Sequence, residues 1–159
     1  MRWPFKRGAA GAVPDLKSER LRLVAITPEM LAADGEGAGL GELLRAEVTP
    51  EWPPADWEPH VLRFVGQQFT ERPDTVGWHR YVLLVEGGKV TLVGCLGGFP
   101  KPVNEVEIGY STLPEFQRRG IGSEAARLLV NWLLLREGVN AVSAQALSLI
   151  HISEPTRPY

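Results

Sequence analysis

The 159-residue sequence has one cysteine, Cys95, and only three histidines. A single cysteine excludes a disulfide framework and a cysteine-rich metal site, and it favours the reducing environment of the cytoplasm. The histidines show no H-x-x-x-H pair or other ligand spacing, so we predict a protein without a bound metal. The formal net charge of −2 argues against a nucleic-acid partner, because general nucleic-acid binders carry a basic excess.

Long apolar runs are also missing from the sequence. The longest run near the end, LLVNWLLL at residues 128–135, is far too short to span a bilayer. The basic N-terminal stretch lacks the continuous apolar segment of a signal peptide. We therefore expect a soluble protein without a membrane partner, and the length of the chain fits one domain.

The apolar periodicity and the turn signals predict strands that alternate with helices. This order is typical of an α/β (α+β) fold. Gly87-Gly88 is a hairpin-turn signal between two apolar strands, and Thr27 followed by Pro28 marks a helix start. We predict a flexible N-terminal arm over 1–17, strands at 20–26, 78–86, 89–99, 106–113 and 139–147, a helix after Thr27, a short helical turn at 40–47, and helices at 58–71 and 122–136.

The stretch QRRGIG, residues 117–122, joins the fourth predicted strand to the long helix. A helix start presents unpaired N–H groups and the positive end of the helix dipole, and glycines let the backbone approach a ligand closely. The stretch therefore predicts an anion site of the kind that holds a phosphate. A P-loop is excluded because no Gly-Lys-Ser/Thr follows, and a Rossmann turn is excluded because six residues separate the strand from the glycines.

The longer segment GYSTLPEFQRRGIGSEAARLL, residues 109–129, resembles the acetyl-CoA signature of the GNAT N-acetyltransferases, Gln/Arg-x-x-Gly-x-Gly/Ala. The segment SERLRLVAITPEM, residues 18–30, resembles the opening of the RimJ/RimL-like branch, which acetylates protein N-termini and related amines. The resemblance covers about residues 18–146. It implies the GNAT fold, a central mixed and mostly antiparallel sheet flanked by helices, with acetyl-CoA as co-substrate.

The resemblance also implies which residues bind acetyl-CoA. Backbone N–H groups of the glycine turn would hold the pyrophosphate, and the end of the fourth strand would hydrogen-bond the pantetheine and the acetyl carbonyl. The residues at these positions are Ser111, Thr112, Leu113, Gln117, Arg118, Arg119, Gly120, Ile121, Gly122 and Ser123.

Acetyl transfer by direct attack in a ternary complex requires a group that deprotonates the amine. Glu107 resembles the position of the base glutamate in histone-acetylating relatives, and Glu105 is the alternative. Either glutamate can instead be a solvated carboxylate at the edge of a strand.

The second prediction is a substrate pocket lined by aromatic residues. Trp52 and Trp57 in the proline-rich loop, together with His79, would line the amine site, because flat aromatic rings cover apolar substrate surface. The alternatives are a loop anchored by its own tryptophans and a histidine packed in the core. Cys95 is expected to be a small buried hydrophobe and not a nucleophile.

The last segment, residues 147–159, does not continue the pattern and resembles a translated sequencing adapter. We expect an incomplete GNAT domain over 18–146, without the last strands and helix of the family, followed by a non-native tail. An exposed strand edge would then favour aggregation, and whether the chain as it stands is active stays open.

Three functions stay open at this stage. The first is acetyl transfer to a primary amine, either a protein N-terminus or a small molecule. The second is a catalytically silent domain that binds CoA or a partner, and the third is an acyltransferase that uses a longer acyl-CoA. A monomer and a homodimer are equally compatible with the sequence.

Overall fold

The computed structural model describes residues 13–144, and in this part of the chain six strands form one sheet in sequence order. The first five strands pair antiparallel with their neighbours, and the last pair is parallel. This confirms the predicted mixed, mostly antiparallel sheet. The strands are β1 Leu16–Lys17, β2 Leu21–Ala25, β3 His79–Glu86, β4 Lys89–Lys101, β5 Glu105–Thr112 and β6 Ala141–Ala144.

Four α-helices accompany the sheet in the described residues: α1 Pro28–Glu36, α2 Leu40–Leu44, α3 Pro59–Glu71 and α4 Ile121–Leu134. The predicted start of α1 is confirmed, because the Thr27 hydroxyl caps the helix by accepting a hydrogen bond from the Met30 N–H at 3.1 Å. The long helix starts one residue and ends two residues before the predicted bounds. No helix between residues 13 and 144 is long and apolar enough to cross a membrane.

The sheet separates two apolar cores. Helix α4 packs its buried face, including Ala125, Leu129 and Leu133, against side chains of β2 to β5. The opposite face of the sheet is covered by α1, α2, α3 and the loop that precedes α3. Each helix therefore buries an apolar stripe on the sheet, as the 3.6-residue periodicity of α4 predicts.

The chain joins the sheet earlier than the sequence predicts. Leu16 and Lys17, assigned above to the flexible arm, form β1, which pairs with β2 through a tight turn at Ser18. The buried Arg80 on β3 donates a hydrogen bond to the Pro14 carbonyl at 2.9 Å, so the residues just before β1 are also held. The rest of the predicted arm, residues 1–12, and the tail predicted at 147–159 lie outside the described residues.

His79 lies in the core and does not face a substrate cleft. It is 1% exposed and packs edge-on against Phe69 and Phe99. Gln68 donates to the Gly98 carbonyl at 3.2 Å, so its amide oxygen must accept from His79 Nε2, 3.0 Å away. The buried ring is therefore a neutral imidazole with its proton on Nε2, and burial lowers its pKa to about 3.

This buried histidine predicts an acid-sensitive fold. Below about pH 6.5 the unfolded chain takes up a proton at His79 while the folded protein does not, so the free energy of unfolding falls as the pH falls. Between about pH 7 and pH 5 the loss should be about 2 kcal/mol, before the carboxylates begin to titrate. Urea unfolding at both pH values measures the difference.

His79→Gln should lose most of this difference between the two pH values. The matched control is His60→Gln, because the side chain of His60 is two-thirds exposed at the start of α3. A pH dependence that is the same in the parent and in both variants would show that His79 does not cause it.

Candidate active site

A cavity of about 520 Å³ opens beside the end of β5. The parallel ladder between β5 and β6 runs from Glu105 to Ile108, and in the described chain β5 continues to Thr112 with β4 as its only partner strand. Among the described residues of β6, none pairs with residues 109–112 of β5, beside which the cavity lies. Its walls are residues 110–112 of β5, most of residues 114–123, and residues 54–56 of the loop before α3.

The turn between β5 and α4 presents a row of backbone donors. Arg118 and Gly120 adopt left-handed conformations, with φ of 67° and 76°, and Gly120 is the N-cap of α4. The first helical hydrogen bond runs from the Glu124 N–H to the Gly120 carbonyl at 3.0 Å. Within residues 13–144, the N–H groups of residues 118–123 have no hydrogen-bond partner. This is the geometry of an anion site at a helix N-terminus.

Gly122 lets the helix start lie close against β5. A Cβ atom at this position would stand 2.5 Å from Tyr110 Cε2, which is closer than real contacts allow. Gly120 has the positive φ that L side chains rarely adopt. The two glycines of the signature therefore have separate roles: Gly120 makes the turn, and Gly122 makes the close packing.

A carboxylate holds the start of α4 in place. Glu124 accepts hydrogen bonds from Arg20 Nε at 2.9 Å and from the Ser18 hydroxyl, while Arg20 Nη2 donates to the Arg119 carbonyl at 2.7 Å. Burial alone would raise the pKa of Glu124, but the bonds from Ser18 and Arg20 outweigh it, and the pKa lies below its usual value. Sequence reasoning missed this cluster, because its members are about 100 residues apart and no local signal connects them.

The two adjacent arginines differ in the structure. The Arg119 guanidinium forms an ion pair with Glu86 at the end of β3. Arg118 lines the cavity, and its side chain has no partner in the described part of the chain. Gln117 donates to the Thr112 carbonyl at 2.9 Å and so closes the turn onto β5. Of the two arginines, Arg118 is the one placed to meet an anion.

The predicted role of the strand end needs one correction. Leu113 is fully buried, its N–H donates to the Val93 carbonyl and its carbonyl accepts from the Phe116 N–H, so its backbone is not open to a ligand. In an antiparallel strand the hydrogen-bonding groups of alternate residues point to opposite sides. The N–H of Thr112 therefore points away from β4 toward the cavity, and the N–H of Ser111 points toward β4.

The two tryptophans predicted in the substrate pocket anchor their own loop. Asp34 at the end of α1 accepts hydrogen bonds from Trp52 Nε1 at 2.9 Å, from Trp57 Nε1 at 2.6 Å and from the Tyr81 hydroxyl at 2.7 Å. Trp57 is 8% exposed and, like Trp52, packs edge-on against Tyr81. Neither tryptophan lines the cavity beside β5.

The two candidate bases lie on β5 but outside the cavity wall. Glu107 forms an ion pair with Lys101 at 3.2 Å, and its side chain is about a quarter exposed. Glu105 is exposed at the start of the strand. Strand alternation places Glu107, Gly109 and Ser111 on the same face of the sheet, opposite the face that α4 covers.

Cys95 is fully buried, as the sequence predicted. Burial and the nearby charges of Asp34 and Asp56 hold the pKa of its thiol well above the usual range, so it is not a nucleophile at neutral pH. Among residues 13–144, no group of three or more histidine, cysteine or acidic side chains is arranged to hold a metal ion.

A comparison with known protein families shows which family has this fold and this glycine turn. The model of the acetyltransferase (GNAT) family matches residues 39–149. The chain belongs to the GNAT acetyltransferase family. Members of this family use acetyl-CoA, so the protein is an acetyltransferase, and the family resemblance inferred from QRRGIG is confirmed.

Individual relatives agree with this membership. The uncharacterized N-acetyltransferase YjdG of Bacillus subtilis (strain 168) is 30% identical over 133 residues, which cover 82% of this chain and 78% of that protein. A protein of Bordetella pertussis described as a GNAT-family acetyltransferase has a similar structure, with a TM-score of 0.58 and 19% identity over 92% of this chain and 90% of that chain.

A predicted acetyltransferase of Clostridium acetobutylicum, solved with acetyl-CoA, superposes with a TM-score of 0.50 and 12% identity, covering 87% of this chain and 89% of that chain. At such identities the two structures show the fold alone. They confirm the predicted GNAT fold.

The Asp34 cluster predicts a strong dependence of stability on one carboxylate. Asp34→Ala leaves the donors of Trp52, Trp57 and Tyr81 without an acceptor, and the free energy of unfolding should fall by about 3 kcal/mol. Urea unfolding followed by tryptophan fluorescence measures the change.

Asp74→Ala is the matched control for this prediction. Asp74 also binds its partner, Arg72, through its carboxylate, but the pair is exposed and should contribute less than about 1 kcal/mol. Equal losses in the two variants would contradict the anchoring role of Asp34.

Proposed function

We propose that this protein transfers the acetyl group of acetyl-CoA to a primary amine, by direct attack in a ternary complex. The acceptor is a protein N-terminus or a small-molecule amine, in keeping with the RimJ/RimL-like opening segment at residues 18–30. The proposal rests on one observation above all: the N–H groups of residues 118–123, which have no partner within residues 13–144, lie beside the same cavity as residues 110–112 of β5.

The N–H groups of residues 118–123 bind the pyrophosphate of the co-substrate. Six donors without a partner in the described chain suit a group with several phosphate oxygens, and the helix dipole favours the negative charge. Gly122 supports this assignment, because its missing side chain lets the turn lie close to β5. Arg118 adds a positive charge at the same edge of the cavity.

The Thr112 N–H binds the extended arm of the co-substrate along β5. The backbone N–H of its neighbour Ser111 is not available to this ligand, since it points toward β4. A ligand that continues the sheet beside β5 lies along residues 109–112, which have no partner from β6 in the described part of the chain. Bound acetyl-CoA supplies the thioester whose carbonyl carbon accepts the amine.

Glu107 acts as the general base in this proposal. Its carboxylate takes the proton of the amine, directly or through a water, so that the nitrogen lone pair can attack. A C–N bond then forms while the thioester C–S bond breaks, and CoA leaves as a thiolate. Lys101 Nζ lies 3.2 Å from the Glu107 carboxylate and limits the directions in which this side chain can point.

Glu107→Gln tests the proposed base. The variant should lower kcat for acetylation by about 100-fold or more, because a positioned base contributes that much, while the affinity for CoA stays unchanged. Thiol release in the presence of a peptide with a free N-terminus, tyramine or spermidine measures turnover, and calorimetry measures CoA binding.

Glu105→Gln is the matched control, since Glu105 is on the same strand and is exposed. A larger loss in Glu105→Gln than in Glu107→Gln would reassign the base. Tight CoA binding with no acetylation of any amine in the parent protein would favour the alternative, a catalytically silent CoA-binding domain.

Arg118 and Arg119 give a second test of the cofactor site. Arg118→Ala should raise the Kd for CoA about 10-fold, because a charge-assisted contact to a phosphate is lost. Arg119→Ala should raise it less, since the Arg119 guanidinium is already paired with Glu86. The reverse order, measured by calorimetry, would show that the anion lies on the Arg119 side of the turn.

A further inference from the structure

We propose that Asp56 binds the acceptor amine in its ammonium form and so determines the substrate class of the site: cationic amines, not neutral nucleophiles. This inference rests on the proposed function, because it names the group that recognises the second substrate. It assigns a role to the proline-rich loop, for which the sequence suggested only its tryptophans.

Asp56 is the acidic side chain of the cavity. Among the described residues that line the cavity, it alone has a carboxylate, and it is exposed. One carboxylate oxygen accepts a hydrogen bond from the Ser111 hydroxyl at 3.2 Å. The other oxygen has no partner in residues 13–144 and can accept from a ligand.

The loop holds Asp56 in a fixed position. The residue next to it, Trp57, donates its indole N–H to Asp34, and the Trp57 backbone N–H donates to the Pro54 carbonyl at 3.0 Å. Asp56 therefore lies inside a tight turn whose following residue is anchored in the core. A carboxylate held in this way loses little conformational entropy when it binds a cation.

Charges of opposite sign occupy different walls of the cavity. The donors for an anion belong to residues 118–123, whereas Asp56 is attached to Ser111 on β5. An acid at the phosphate end would repel the co-substrate, but an acid at the strand wall leaves that end positive. This separation suits two substrates of opposite charge, a phosphate-bearing donor and an ammonium-bearing acceptor.

The face of β5 between Ser111, which is bonded to Asp56, and Glu107 leaves room for the amine. Glu107, Gly109 and Ser111 share one face of β5, and at about 3.4 Å per residue Gly109 lies about 7 Å from each of the other two. Gly109 has no side chain, and the nearest atom to a Cβ placed there would be Phe99 Cε2 at 4.0 Å. An amine over Gly109 thus has Asp56 on one side to bind its charge and Glu107 on the other to take its proton.

The test separates substrate binding from chemistry. Using the full chain and whichever of the N-terminal peptide, tyramine and spermidine is acetylated best, Asp56→Asn should raise KM for the amine about 10-fold. The change in kcat should be smaller than the change in KM, and KM for acetyl-CoA should stay the same. Asp56→Glu, which keeps the charge, should restore much of the affinity.

Two further variants distinguish charge recognition from a structural role. Ser111→Ala removes the hydrogen bond to Asp56 but keeps the carboxylate, so its KM for the amine should stay within about threefold of the parent. Glu51→Gln, an exposed acid in the same loop and outside the cavity, should leave both constants unchanged.

Several outcomes would overturn the assignment. If Ser111→Ala raises KM for the amine as much as Asp56→Asn does, the Asp56–Ser111 hydrogen bond has a structural role and Asp56 does not bind the cation. An unchanged KM in Asp56→Asn, with normal acetylation, refutes the role of Asp56 and leaves the proposed function intact. Failure of the parent to acetylate any of the three amines contradicts the proposed function, and the assignment of Asp56 fails with it.

Discussion

The ion pair between Arg20 and Glu124 is the constraint on which the cavity depends. It joins the turn before β2 to the first turn of α4, and the second bond of Arg20, to the Arg119 carbonyl, fixes the turn itself. The N–H groups of a helix start attract an anion only if they keep a common direction. A carboxylate in the first turn also opposes the positive end of the helix dipole, and here its charge is balanced by Arg20, so the positive field remains.

The opposite wall depends on a second carboxylate, Asp34, whose three bonds hold the proline-rich loop against β3. Burial, and then the charge of Asp34, keep the pKa of Tyr81 above its usual value, so Tyr81 remains a donor to this cluster. Both walls are thus fixed from outside by half-buried acids, while the groups that face the cavity keep their hydrogen-bonding capacity.

The sequence predicted the sheet, the helices and the turn, because those depend on local periodicity, on glycine and proline positions and on a compact motif. It did not distinguish Arg118 from Arg119, since the difference comes from Glu86, more than 30 residues away. It also placed Trp52, Trp57 and His79 in a pocket, whereas Asp34 and Gln68 hold them in or beside the core. Long-range hydrogen bonds produce no periodic pattern in the sequence. They nevertheless determine which of several plausible side chains faces the ligand.

The position of the acids on β5 bears on how one site handles a cation and a base at once. A carboxylate that binds an ammonium ion tightly is a poor acceptor for its proton, because the attraction stabilises the protonated form. In the proposed mechanism two carboxylates on opposite sides of Gly109 separate the two tasks: Asp56, bonded to Ser111, binds the charge, and Glu107, paired with Lys101, accepts the proton. A single acid at Gly109 would have to perform both, and its side chain would fill the space that the amine needs.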